Sequence, residues 1–257
     1  MINVDCKKLL VLCFTLLTGV GCGNVATVSS TPSSFILAGN YWPDYTAIPV
    51  CFLNRQDFEE TLVKDYKAIV EQEYYSKTSV RFTRWDDCTP DDQNKAVVRI
   101  RLDSSTITVY EGGYWGAVGG KSRVGAIPLP LEGEESATMR LEAPEIWANF
   151  SKPGNNFFLH EVLHEFGHVV GLMHEHQRTD STQSCVGDAA AELASRVPSS
   201  EVFVYSGAYD SKSIMSYCNP LTNTLSSGDV LGIAEIVTRA AAFSPGQSPT
   251  PPPVAVD

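Results

Sequence analysis

The chain has 257 residues, 43% of them hydrophobic, 10% aromatic and 19% charged, a balance that buries a sizeable core and excludes an intrinsically disordered protein. Its 19 basic and 30 acidic side chains give a formal charge of −11, which argues against nucleic acid as a partner.

The first predicted element is a leader. Residues 7–21, "KKLLVLCFTLLTGVG", place two lysines before an apolar run of signal-peptide length, shorter than a membrane-spanning helix usually needs. We assign residues 1–22 to an export signal, so the mature chain is expected outside the cytoplasm. Gly21-Cys22-Gly23 resembles the lipobox of bacterial lipoproteins, although Gly19 stands where those sequences usually carry Leu. Membrane attachment through a lipid on Cys22 and plain cleavage with secretion are both open. Without Asp5, Lys7 and Lys8 the remainder carries 17 basic and 29 acidic side chains, a formal charge of about −12. It keeps Cys51, Cys88, Cys185 and Cys218, an even number in an oxidising compartment. Two disulfides are expected, and Cys51–Cys88 with Cys185–Cys218 is favoured among three pairings because each bond then lies within one half of the chain. A cysteine zinc site has no CxxC pair to support it.

Residues 23–39 are rich in Ser, Thr and Gly and are expected to form a flexible linker. The folded domain is expected over 40–243, followed by a Pro-rich tail, "SPGQSPTPPPVAVD", at 244–257. Within it "AIPVCFL" predicts a strand, "QDFEETLVKDYKAIVEQEYY" an amphipathic helix, and "SVRFTRW" and "AVVRIRL" two further strands, together a mixed sheet. The acidic run "DDCTPDD", Asp86 to Asp92, lacks an EF-hand pattern and reads as a solvated turn. Tyr110 to Gly125 is a glycine-rich loop, "RVGAIPLP" with Pro128 and Pro130 suits an edge strand, and "ATMRLE" closes the sheet.

Residues 158–180, "FLHEVLHEFGHVVGLMHEHQRTD", hold all five histidines of the chain, His160, His164, His168, His174 and His176. Two overlapping His-Glu-x-x-His copies start at His160 and at His164. A helix opening near Asn155 or Asn156 and running through Val170 puts His160, His164 and His168 on one face, so periodicity alone does not choose between the copies. A third ligand decides. It must come from beyond the helix end, because a straight row does not converge on one ion. Gly171 adopts the left-handed conformation that stops a helix at low cost, and the chain can then turn back to bring His174 to the site. Counted from His160, the third position falls on Val170, which binds no metal. The reading is therefore one catalytic Zn2+ held by His164, His168 and His174. Three neutral imidazoles leave the ion its full charge, which lowers the pKa of a bound water, and Glu165 is placed to act as general base and then to protonate the leaving amine. The bland alternative is an ordinary helix with packed histidines, and for His160 and His176, outside the ligand set, hydrogen-bonding roles are preferred.

His164, Glu165, His168, Gly171 and His174 complete H-E-x-x-H-x-x-G-x-x-H, and on this pattern the chain resembles the metzincin zinc metalloproteases. "SIMSY", Ser213 to Tyr217, resembles their Met-turn, with Met215 the matching methionine. Tyr217 matches the tyrosine that astacins and serralysins use as a displaceable zinc ligand and oxyanion stabiliser, and is assigned a catalytic role on that resemblance. "HEHQRTD" and "LSSGDVLGI" are closest to the astacins, while "ATMRLEAPEIWANF" with Trp147 is more similar to the matrixins. Astacins anchor their mature N-terminus on the glutamate matching Glu175; with a different leader here, a surface or local salt-bridge role is an equal alternative.

The resemblance implies an α+β metzincin fold: a mixed twisted sheet with two long helices above an irregular lower subdomain holding the Met-turn and a C-terminal helix near 227–242. It also implies a monomeric zinc endopeptidase that aligns an extended protein or peptide substrate along an edge strand near Arg123 to Pro130. The acid excess of the chain would steer basic substrates. The competing class is a silent binding protein that keeps the zinc fold, and a variant enzyme would take a distant glutamate as third ligand in place of His174.

Overall fold

Burial along the second strand sets the architecture. In Ile48–Phe52 the side chains of Ile48, Val50 and Phe52 are buried, and the strand lies between two parallel neighbours. The computed structural model describes residues 34–58, 60–103, 110–111, 114–115, 120–131, 136–142, 157–178, 180, 202–206, 208–216 and 222–243. In chain order these form β1 (Ser34–Ala38), β2 (Ile48–Phe52), α1 (Glu60–Lys77), β3 (Phe82–Asp87), β4 (Val98–Asp103), β5 (Tyr110–Glu111), β6 (Tyr114–Trp115), β7 (Lys121–Ser122), β8 (Met139–Glu142), α2 (Phe157–Val170), β9 (Val202–Ser206) and α3 (Ser227–Ala242). Five strands make one sheet in the order β3-β2-β4-β8-β7, with β7 antiparallel at the edge. The fold is α+β, as expected.

Leu62, Tyr66, Val70 and Tyr74, spaced four apart, form the buried stripe of α1. The Tyr74 hydroxyl donates to the Leu163 carbonyl at 2.9 Å, and Tyr66 packs on Phe158 at 5.2 Å between ring centroids, so α1 braces α2. The register of β3 slips against β2 between Val50 and Cys51, where Arg84 (φ 74°) and Trp85 (φ 67°) take left-handed backbone. A bulge of this kind shifts the inward position by one residue. Trp85 thereby turns into the core and stacks on Phe166 of α2 at 5.6 Å. On the other side of the sheet Cys51 and Cys88 form a disulfide, one of the two expected; Cys185 and Cys218 lie outside the described residues.

Two boundaries differ from expectation. The proposed linker ends inside the folded region, because Ser34–Ala38 pairs antiparallel with Val202–Ser206 and buries Ile36 completely. A short apolar run finds a partner far along the chain, which local composition does not reveal. The edge strand also lies earlier than "RVGAIPLP", at Lys121–Ser122. Gly125 (φ 74°) follows it: its N–H donates to the His168 carbonyl and Ala126 N–H to the Asn40 carbonyl, so the chain leaves β8 here, and Pro128 then meets Ala96 in an isolated antiparallel bridge ahead of β4. Any side chain at 125 would overlap the Asn40 carbonyl oxygen. The expected leader, Trp147 and the Pro-rich tail are also outside the described residues.

Candidate metal centre

The α2 helix ends in a Schellman motif. Gly171, at φ 110°, donates its N–H to the His168 carbonyl and Leu172 N–H donates to the Gly167 carbonyl, each at 2.9 Å. Three residues later His174 begins a 3-10 turn, and its ring comes back to the helix face that carries His164 and His168. One ring nitrogen from each of the three lies within 4.8 Å of the others, and Nε2 of His168 is 2.9 Å from Nε2 of His174. His160 is not in this group.

The hydrogen bonds fix which nitrogen faces inward. Nδ1 of His164 is 2.8 Å from the Ile214 carbonyl, and Nδ1 of His168 is 2.8 Å from the Leu172 carbonyl. A carbonyl only accepts, so both Nδ1 atoms carry the proton and both Nε2 atoms present a lone pair. Burial pushes the His168 pKa down to about 4, with the Leu172 contact opposing it, so this ring is neutral and ready to ligate at pH 7. His160 Nδ1 instead meets the Thr222 carbonyl at 2.6 Å, a contact that ties α2 to the segment before α3.

Glu165 is buried beside this group. Ser122 of the edge strand donates its backbone N–H to the carboxyl, while Oε2 is buried without a hydrogen-bond partner among the described residues. The approach requires Gly120, where a Cβ would stand 2.5 Å from Glu165 Cγ. Desolvation raises the Glu165 pKa to about 8, with the Ser122 amide pulling it back. A dication on the histidines favours the charged form and lowers it. The donor set, three imidazole nitrogens within 4.8 Å of one another beside a buried carboxyl oxygen in want of a partner, fits zinc.

The sequence model of one family, the astacin peptidases, matches residues 157–234. Over 56 residues the chain is 41% identical to "Zinc metalloproteinase nas-2" of Caenorhabditis elegans, a stretch that is 22% of this chain and 19% of that protein. The match thus spans about a fifth of the relative's length. A solved structure titled "Structure of myroilysin" aligns with a TM-score of 0.50 at 19% identity, covering 79% of this chain and 97% of that one, a likeness of fold. Residues 157–234 are thus similar in sequence to the astacin peptidases, in a chain whose fold is similar to that solved structure.

The residues that follow the histidines pack around this group. Met215 is buried against α2 at Gly167, where a Cβ would overlap the Met215 sulfur. Its carbonyl accepts from Glu175 N–H at 3.0 Å. Glu175 itself is 1% exposed, accepts from Asp210 N–H at 2.9 Å and lies 3.4 Å from Arg178, which also grips Asp180 with two bonds of 2.8 Å. Burial raises its pKa to about 7, against the pull of the Asp210 amide and Arg178. Tyr217 and the His176 side chain are outside the described residues.

Three functional positions are absent from the sequence reading: Gly120, Ser122 and Asp229. The first two have no local signature, since only the fold brings them to Glu165. Asp229 has one. Ser226-x-x-Asp229 is a capping box, and in the structure Ser226 N–H donates to Asp229 Oδ2 while Asp229 N–H donates to Ser226 Oγ.

The raised carboxyls give the metal-free chain a predicted pH dependence. Glu165 and Glu175 have folded pKa values of about 8 and about 7 against an ordinary 4.5, so the folded state holds more protons in between. Their stabilising effect is complete below 4.5 and is lost as pH rises through 7 to 8. His168, depressed to about 4, acts oppositely: its contribution is present above 6.5 and lost as pH falls toward 4. Between pH 6.5 and 8 the carboxyls dominate. The Tm of the chelated chain should fall across that window and the zinc-loaded chain should show a flatter profile; equal profiles would contradict the assignment of Glu165 to the metal's neighbourhood.

Proposed function

We propose that this chain is a zinc endopeptidase that hydrolyses peptide bonds of extracytoplasmic proteins or peptides, with Glu165 as general base. The observation that carries the reading is the pairing of two histidines oriented by carbonyls with a buried carboxyl at the next helix position. His164, His168 and His174 would hold the ion, which when bound acidifies water and polarises a carbonyl. Glu165 takes the proton of the attacking water and returns it to the leaving amine. The Ser122 amide keeps the carboxyl aimed during both transfers, and the buried setting excludes bulk water that would compete for the proton. Tyr217, one residue beyond the described Met-turn segment, is proposed to place its phenol at the developing oxyanion.

An extended substrate would add beside β7, the edge nearest Glu165, and its main-chain groups would supply binding. The charged leader and Cys22 support an extracytoplasmic setting, with lipid attachment or secretion as its two forms.

Purified chain should contain about one zinc per molecule by elemental mass spectrometry and should cut an unfolded protein substrate. Chelation should abolish cleavage and added zinc restore it. His168→Ala should bring the zinc content close to zero. Cleavage that survives chelation would refute the metal's role, and full zinc content in His168→Ala would refute the ligand set.

A further inference from the structure

The bulge in β3 links a covalent bond to the candidate metal centre. Val50 pairs with Arg84 and Cys51 with Asp86, so Trp85 is the extra residue, and Arg84 and Trp85 both hold left-handed backbone that bulky side chains rarely adopt. Such conformations persist only where the surroundings impose them. Without the extra residue, alternation from Phe82 would turn Arg84 inward and Trp85 out to solvent. The inward seat also has a polar cost, because Trp85 Nε1 is buried without a hydrogen-bond partner among the described residues. The Cys51–Cys88 disulfide lies just past the slip, with Cα atoms 4.9 Å apart, and Cys88 N–H donates to the Phe52 carbonyl at 2.9 Å. Losing the extra residue would carry Cys88 one place, about 3.3 Å, further along β2 and away from Cys51. The bond therefore favours the bulged register.

Inside the core Trp85 stacks on Phe166 with 25° between ring planes, and Phe82 meets the same ring edge-on at 4.9 Å. Phe166 is fully buried and stands two residues from both His164 and His168, on the opposite face of α2. The rings that seat Phe166 thus fix the rotation of the helical turn that presents these two histidines to His174. We infer that Trp85 is a positioning residue of the metal centre, seated by the Cys51–Cys88 disulfide, so that reduction of the bond loosens the histidine group and weakens zinc binding. This rests on the zinc reading of that group. A dithiol supplies the electrons: its thiolate attacks Cys88, the half-buried partner, and expels the thiolate of the fully buried Cys51. Its second thiol then displaces Cys88 and closes the reagent's own disulfide, so two electrons and two protons pass to the protein.

The test uses the full chain. Dithiols bind zinc themselves, so the bond is removed by Cys51→Ser with Cys88→Ser, and zinc affinity is read by competition with a chromophoric chelator at a temperature where circular dichroism shows the chain folded. Affinity should fall about tenfold, the lower end for lost support of a metal ligand. With the bond intact, Trp85→Ala should fall as far, while Trp85→Phe, which keeps a ring on Phe166, should stay close to the unaltered chain. Combining Trp85→Ala with loss of the bond should lower the Tm further but leave zinc affinity where either change alone puts it, the mark of a shared route. Equal affinity with and without the bond, or losses that add, would overturn the inference while the zinc reading stands. An unaltered chain that binds no zinc would overturn both. If the cysteine variant does not fold, the bonded chain decides: affinity that Trp85→Ala loses and Trp85→Phe keeps supports the positioning role, and equal affinity in the two overturns it.

Discussion

Glu165→Gln should leave the zinc content near one per chain and lower kcat by about 10²–10⁴-fold, the range associated with a positioned general base. The amide keeps the shape of the carboxyl and can still accept from Ser122 N–H, so the fold and the three histidines are undisturbed. It cannot take a proton. The same substitution should raise the Tm of the metal-free chain at pH 8, because the buried carboxyl that resists ionisation up to about 8 is gone. Loss of activity together with that gain would separate a catalytic carboxyl from a structural one. Retained kcat would remove Glu165 from the chemistry, and a lower Tm would mean that the carboxyl supports the fold.

The largest effect on stability is expected from Asp229→Ala. Asp229 is buried at the start of α3, where its carboxylate accepts from the Ser213 hydroxyl at 2.6 Å, from Ile214 N–H at 2.9 Å and from Ser226 N–H at 2.9 Å. Removing it strips a helix cap and leaves three donors in want of an acceptor, a loss of about 3–5 kcal/mol. The damage reaches the metal. Ile214, whose N–H is held by Asp229, offers its carbonyl to His164 Nδ1, so zinc affinity should fall about tenfold or more. Denaturant unfolding and zinc competition titration would measure the two losses. Asp229→Asn, which keeps the shape but accepts through one oxygen, should fall between. Unchanged zinc affinity in a folded Asp229→Ala chain would disconnect the α3 start from the site.

The legible parts of this fold are those in which chemistry dictates spacing. Histidines four apart on a helix, a glycine to end it and a histidine three residues later can be read in order, because few arrangements bring three imidazoles within 4.8 Å of one another. The C-terminal helix, expected near 227–242, runs Ser227–Ala242, since Ser226 and Asp229 cap it locally. What escapes the sequence depends on distant pairing. β1 is hidden because its partner, β9, lies in the other half of the sequence, and the bulge at Arg84 and Trp85 arises from register against β2. Gly120 and Ser122 are hidden for the same reason: their meaning is a close approach to a side chain more than forty residues away.

The ring of His164 is oriented by a carbonyl fifty residues further along the chain. Synthesis runs from the N-terminus, so all three candidate ligands emerge well before Ile214 exists to hold one of them. An incomplete chain has the histidines without the support that fixes the tautomer of the first. Orientation of the first ring is thereby deferred until the C-terminal segment has docked, and a histidine cluster of this design is set only once residues fifty positions downstream are in place.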